Sequence, residues 1–279
     1  MEPVGRERIR VCAEQGDVER EDAIAVEEPL RIRVRSPLDA AAVTFATTMR
    51  TPGDDADLAS GLLFTEGAVA RPEEILSIAE AEIGTGERRG NTLTVTLSPE
   101  AFERARRLRR ETVVGSACGI CGSDTIEETI GRVRAAVRVP FRLSREVLHA
   151  LPGRLRERQS VFAATGGLHG AAVFDGGGAL TIVREDIGRH NATDKVIGSA
   201  LRDGRLPLSG SILLVSGRAG FEIVQKAFAA GVPVVASVSA PSSLAVALAD
   251  AGGITLVGFL REKRFNVYAH PERLDALLR

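Results

Sequence analysis

The chain has 279 residues, 44% of them apolar and 26% charged, with a formal charge of −1. That length supports one large domain or two modest ones. The composition excludes a disordered chain, and the near-neutral charge gives no support for general nucleic-acid binding. Three cysteines, Cys12, Cys118 and Cys121, are too few and odd in number for a disulfide framework. The apolar runs are strand-length, far short of a bilayer span, and the charged first residues lack a signal-peptide core. A cytoplasmic protein with no membrane association is expected.

Residues 1–22 read as a loose, charged leader carrying Cys12. An N-terminal α+β domain then runs over 23–139. Leu30, Ile32 and Val34 alternate with arginines as a half-exposed strand. Ala41–Met49 is a second strand. A helix from Asp54 or Asp55 to Glu66 follows, with Leu58, Leu62 and Leu63 on one face. Thr92–Leu97 alternates again, and Pro99–Arg110 reads as a helix ending in an arginine cluster.

The segment 115–123 holds Cys118 and Cys121 among glycines Gly115, Gly119 and Gly122. A loop of this composition leaves a sulfur atom free to be approached. Upstream arginines and a helix start at Ser123 or Asp124 favour a thiolate. Zinc needs four ligands, and one C-x-x-C supplies two. A thioredoxin-like dithiol and a sulfur-carrying nucleophile both fit the spacing, which does not separate them.

From residue 140 to 279 strands and helices alternate, which predicts a parallel or mixed sheet covered by helices. Ser144–Leu151 and Pro152–Ala163 read as helices. Strands are expected at Ala171–Phe174, Leu180–Val183, Ile212–Val215, Val232–Val238 and Thr255–Leu260. Helices are expected at Ala192–Leu201, capped by Asn191, and at Phe221–Ala230 and Leu244–Ala251. Several strand ends carry groups suited to anions: His169; Arg189, His190 and Asn191; Ser216, Gly217 and Arg218; and Phe259, Leu260, Arg261, Glu262, Lys263 and Arg264. In open α/β sheets ligands bind at the carboxyl ends of strands, and helix N-termini there attract phosphates. A large phosphorylated ligand fits this pattern better than a small neutral one. All three lysines, Lys195, Lys226 and Lys263, lie in this half.

Four motifs occur in order: Ala117-Cys118-Gly119-Ile120-Cys121-Gly122; Thr165-Gly166-Gly167-Leu168-His169; Glu185 through Lys195; and Ser239-Ala240-Pro241-Ser242. Together they strongly resemble the FdhD/NarQ family, the formate dehydrogenase accessory sulfurtransferases, from about Ala23 to the C-terminus. The resemblance implies a sulfurtransferase enzyme that takes sulfur from a cysteine desulfurase. It would pass that sulfur to the molybdenum or tungsten bis(molybdopterin guanine dinucleotide) cofactor of the formate dehydrogenase catalytic subunit. It implies a persulfide on Cys118, an assisting Cys121, and cofactor binding by Phe259–Arg264, with GDP as a mimic. It also implies a homodimer and a C-terminal three-layer, cytidine-deaminase-like α/β domain, hence an α+β chain overall. Deamination itself is disfavoured, because His169-Gly170-Ala171 lacks the glutamate of H-x-E and the cysteine pair precedes the histidine. No metal site of the protein's own is expected. A non-catalytic cofactor chaperone and a dithiol oxidoreductase are the alternatives.

Overall fold

The computed structural model describes residues 2–39, 41–80, 90–108, 113–114 and 141–275. Cys118, Cys121 and the Ser123/Asp124 helix start therefore lie outside the described residues, as do Arg109 and Arg110.

The first 25 residues correct the sequence reading. Strands β1 (Val4–Ala13) and β2 (Gly16–Ala25) pair antiparallel as a hairpin instead of forming a loose leader. The reading failed because its pairs are largely charged, such as Arg8 opposite Glu21 and Arg10 opposite Glu19. Such a ribbon shows no apolar period.

The N-terminal sheet has strand order β5-β6-β3-β4-β7. It comprises β3 (Glu28–Arg35), β4 (Val43–Arg50), β5 (Ile75–Glu80), β6 (Thr92–Leu97) and β7 (Val113–Val114). Leu30, Ile32 and Val34 are fully buried, as their alternation predicts, against Val95, Leu97 and the helices α1 (Asp55–Thr65) and α2 (Pro99–Leu108). Leu201, from the C-terminal half, belongs to the same core.

The C-terminal sheet runs β13-β12-β11-β10-β8-β9. Its strands are β8 (His169–Asp175), β9 (Leu180–Asp186), β10 (Ser211–Val215), β11 (Val234–Ser237), β12 (Thr255–Gly258) and β13 (Asn266–Ala269). Strands β10, β11 and β12 are mutually parallel, and β8, β9 and β13 join antiparallel, so the sheet is mixed. Its near-continuous apolar strands are buried on both faces. Ala171, Val173, Leu213 and Val235 face α5 (Arg189–Arg202), α6 (Phe221–Ala229) and α7 (Ser243–Gly252). Ala172, Phe174, Leu214 and Ala236 face α3 (Arg145–Arg156). The result is a three-layer half inside an α+β chain.

Helix α3 passes through Pro152, where the sequence reading placed a break; α4 (Ser160–Thr165) follows separately. An interior proline costs about 3 kcal/mol. Leu148, Leu151 and Leu155 share one buried face of α3, and each contributes about 1.5–3 kcal/mol by burial. The leucines outweigh the proline. Ser144 caps the start by accepting from the amides of Glu146 and Val147.

The two halves are joined where α1 crosses α5. A Cβ added to Gly61 would lie 1.9 Å from the Asp194 carbonyl oxygen, and one added to Gly198 would lie 1.9 Å from that of Asp57. Only glycine allows backbones this close.

Candidate functional site

The mixed sheet gathers the predicted strand ends at one edge. Because β8 runs opposite to β10, its first residue, His169, lies beside the carboxyl end of β10. The amide of Ser216 donates to the Gly170 carbonyl at 2.9 Å, and the Gly170 amide donates to Ser216 Oγ at 2.9 Å. Ser237 Oγ donates to the Gly217 carbonyl at 2.7 Å and accepts from the Ser239 amide at 3.0 Å. The amides of Phe259 and Leu260 donate to the carbonyls of Ser239 and Ser237, each at 3.0 Å. Arg261 N–H donates to the Arg264 carbonyl at 2.9 Å and closes a tight turn over 261–264.

Between this edge and helices α3 and α4 lies a cleft of about 860 Å³. Pro152, Leu155, Phe162, Leu168, Val238 and Leu260 give it apolar walls, while Arg156, Gln159, His169, Ser216, Arg261, Glu262, Lys263 and Arg264 give it polar ones. Apolar walls with a few convergent polar groups are the usual make-up of a ligand site. Seven of the residues singled out in the sequence thus share one cavity: His169, Ser216, Leu260, Arg261, Glu262, Lys263 and Arg264. Phe259 sits just outside its lining, 40% exposed, with φ of 50°. The Arg261 guanidinium folds back to donate to the Val238 and Leu260 carbonyls, while Arg261, Lys263 and Arg264 are all exposed.

His169, Arg189, Gly217 and Arg218 meet at the other end of the edge. A Cβ on Gly217 would lie 3.2 Å from His169 Nδ1 and 3.4 Å from Arg189 Cδ, so this glycine lets the two side chains close over the strand end. Burial holds the His169 imidazole below its ordinary 6.5, and the charges of Arg189 and Arg218 push in the same direction, against Asp186. Burial and the Arg218 charge also lower Arg189, against Glu222. His190 Nε2 lies 3.3 Å from Glu222.

The block from Glu185 to Lys195 has a different geometry from the one its sequence suggests. Helix α5 starts at Arg189 with Gly188 as its N-cap, so Asn191 is not the cap. Its side chain is buried instead, donating to the Met49 carbonyl at 2.7 Å and to Asp186 at 3.0 Å, and accepting from Thr48 at 3.2 Å. Lys195 lies 2.8 Å from Asp186 and donates to the Thr51 carbonyl at 3.0 Å. Lys226 pairs with Asp194 at 2.8 Å, and Thr65 donates to the same carboxylate at 2.8 Å. Burial raises both carboxyls, Asp186 and Asp194, above the ordinary carboxylate range, with the lysines pulling the other way. Arg184 and Arg202 both reach Asp57 across the same seam, at 2.7 and 2.6 Å. Much of this block therefore locks the N-terminal half to the C-terminal half. Two of the three lysines are spent there, and only Lys263 reaches the cleft.

One residue was not anticipated, and Glu185 has a role that its motif did not suggest. Gln159 lines the cleft at 5% exposure, and its Nε2 has no hydrogen-bond partner. Nothing in a sequence distinguishes such a glutamine from a surface one. Glu185 accepts from the amides of Val161 and Phe162 at 3.0 and 2.8 Å, satisfying the start of α4 from a distant strand. Among the described residues, no group of three His, Cys, Asp or Glu side chains converges to hold a metal, and no helix is long and apolar enough to cross a membrane.

Known proteins are similar to this chain in sequence, and one solved structure is similar in fold. A protein named sulfur carrier protein FdhD from Mycobacterium tuberculosis is 46% identical over 273 residues, 96% of this chain and 97% of that one. Its namesake from Nocardia farcinica is 46% identical over 277 residues, 98% of this chain and 95% of the other. The crystal structure of a candidate formate dehydrogenase accessory protein from Desulfotalea psychrophila superposes with a TM-score of 0.75 at 25% identity, covering 98% of this chain and all of that one. A sequence model of the FdhD/NarQ family matches residues 25–275, and the chain belongs to that family.

Proposed function

We propose that this protein is a sulfurtransferase that carries sulfur on Cys118 for the maturation of formate dehydrogenase. The observation that carries the reading is the cleft at the sheet edge, where apolar walls meet His169, Lys263 and Arg264. A large anionic ligand with an aromatic base suits those walls. The bis(molybdopterin guanine dinucleotide) cofactor of molybdenum or tungsten is such a ligand and enters as substrate. The relatives named as sulfur carriers supply the chemical role.

In the loading step the Cys118 thiolate attacks the outer sulfur of a persulfide on a cysteine desulfurase. A new S–S bond forms on Cys118, the old S–S bond breaks, and the desulfurase cysteine leaves as its thiolate. No net electrons are needed. Cys121, three residues on, assists delivery. The receiving partner is the formate dehydrogenase catalytic subunit, the compartment is the cytoplasm, and the carrier works as a homodimer.

The test is to incubate the protein with a cysteine desulfurase and L-cysteine and weigh it intact. One added sulfur atom, lost in Cys118→Ser, is expected. No added sulfur, under conditions that load a known carrier, refutes the reading in favour of a chaperone or a dithiol oxidoreductase. For the cleft, GDP is titrated into wild type and into Lys263→Met/Arg264→Met. Equal affinities would remove the 261–264 turn from the nucleotide site.

A further inference from the structure

Arg189 stands out among the arginines of this chain for what its side chain lacks. Elsewhere the buried cations are matched: Arg50 with Asp55 at 2.9 Å, Arg184 with Asp57, Lys195 with Asp186 and Lys226 with Asp194. Neither Arg189 nor Arg218 makes a salt bridge among the described residues. The Nε of Arg189 is fully enclosed with no hydrogen-bond partner. A buried, unmatched guanidinium donor costs free energy that the fold has met everywhere else.

The surroundings favour an incoming anion. Arg189 is the first residue of α5, a helix of 14 residues, so it stands at the helix end whose dipole favours an anion. Gly217 lets His169 and Arg189 approach each other, and Arg218 follows it in the chain. The carboxylates facing this group are Glu222, engaged with His190, and Asp186, matched by Lys195. The His169 imidazole, held neutral, can donate an N–H, and the repulsion between the two guanidinium groups is relieved by a negative charge placed between them.

Position separates this cluster from the 261–264 turn. In the order β12-β11-β10-β8 the turn follows β12, while Arg218 follows β10 and His169 begins β8. Two to three strand spacings, about 10–14 Å, lie between them. His169 and Ser216 belong to the lining of the same cleft as Lys263 and Arg264, and Arg189 and Arg218 stand beside His169 just beyond that lining, so one extended ligand that passes His169 can touch both ends.

We propose that Arg189, Arg218 and His169 form an oxyanion subsite that holds a phosphate-class group of the ligand in the cleft. Planar guanidinium groups give paired, charge-assisted hydrogen bonds to such an oxyanion. The inference rests on the reading of the cleft as a guanine-nucleotide site, and its test separates the two.

Wild type and Arg189→Gln/Arg218→Gln are titrated calorimetrically with GDP, guanosine and inorganic phosphate. Wild type is expected to bind GDP more tightly than guanosine. In the double variant GDP affinity falls about tenfold or more, the effect of losing one charge-assisted bond, while guanosine affinity is unchanged. A GDP-to-guanosine ratio equal in wild type and variant overturns the subsite. If wild type binds neither guanosine nor GDP, the guanine reading fails and inorganic phosphate decides the subsite alone. Phosphate bound by wild type and not by the variant supports it; phosphate bound by neither overturns it. Arg218→Gln alone changes only an exposed side chain and guards against misfolding; it must lose part of the GDP preference, and Arg189→Lys must keep part of it.

Discussion

Gly198→Ala tests the contact between α1 and α5 most directly. In an open helix interior, replacing glycine with alanine stabilises by about 0.5–1 kcal/mol. At Gly198 the new methyl group would lie 1.9 Å from the Asp57 carbonyl oxygen, 2.6 Å from the Gly61 nitrogen and 2.8 Å from the Asp57 carbonyl carbon. All three are backbone atoms, so no side chain can swing aside. The helices must separate by more than an ångström to reach ordinary contact, which also stretches the Asp57 contacts with Arg184 and Arg202. Overpacking of this kind costs about 1–3 kcal/mol or more. Set against the gain in helix propensity, the expected net loss is roughly 1–2 kcal/mol at least, or a Tm lower by about 2–8 °C for a chain of this size. The matched control is Gly153→Ala in α3, where nothing lies within 4 Å of the new Cβ. There the propensity gain acts alone, and Tm should rise slightly. Both variants are compared with wild type by thermal and urea unfolding followed by circular dichroism. A Gly198→Ala protein as stable as Gly153→Ala would refute the close crossing of the two helices.

Further outcomes follow from the polar seam and the cleft. Lys226→Met leaves Asp194 buried without its cation, so unfolding should be easier by about 3–5 kcal/mol, whereas Asp194→Asn/Lys226→Met should recover part of that loss; urea midpoints check both. His169, depressed below 6.5, contributes stability above pH 6.5 that disappears as the pH falls through its folded value, because the unfolded chain then binds more protons. His270 behaves oppositely: burial pulls it down, but the Asp250 carbonyl and the Glu272 carboxylate outweigh this and raise it. Its contribution is complete below pH 6.5 and disappears as the pH rises through its folded value. Stability-against-pH curves for His169→Gln and His270→Gln should therefore differ from wild type with opposite slopes. Glu185→Gln weakens the acceptor for the Val161 and Phe162 amides, so those two amides should lose exchange protection by roughly fivefold, the equivalent of about 1 kcal/mol at a helix start.

Period carried much of the fold. Thr92–Leu97 is read from the sequence with its true bounds because one strand face is apolar. The C-terminal sheet is legible only as parallel or mixed, because apolar runs alternate with helices; that β8, β9 and β13 join antiparallel is not. Where period was silent, reading failed. The charged ribbon of β1 and β2 buries almost nothing, and β13 is four residues long. At the site, chemistry-bearing residue types are visible in a sequence, but their partners are not. His169, Lys263 and Arg264 were found because strand ends are where ligands bind. Asn191 was read as a cap and a ligand contact, yet its partners are Thr48 and Met49, some 140 positions earlier in the chain. Local sequence cannot distinguish a polar side chain awaiting a ligand from one already satisfied across a seam. Gln159 is the converse: an ordinary polar residue that tertiary packing leaves with an unused donor.

The α1–α5 crossing also limits how this protein can be cut and recombined. A C-terminal half expressed alone would present Asp194, Lys226 and the bare backbone around Gly198 to water, with Thr65 and Asp57 missing. Chimeras that splice one relative's first half onto another's second half near residue 140 would cross this seam with mismatched glycines and charges. Grafts that exchange α1 and α5 as one pair keep it whole. The natural cassette of this chain is thus two helices distant in sequence, not a contiguous stretch.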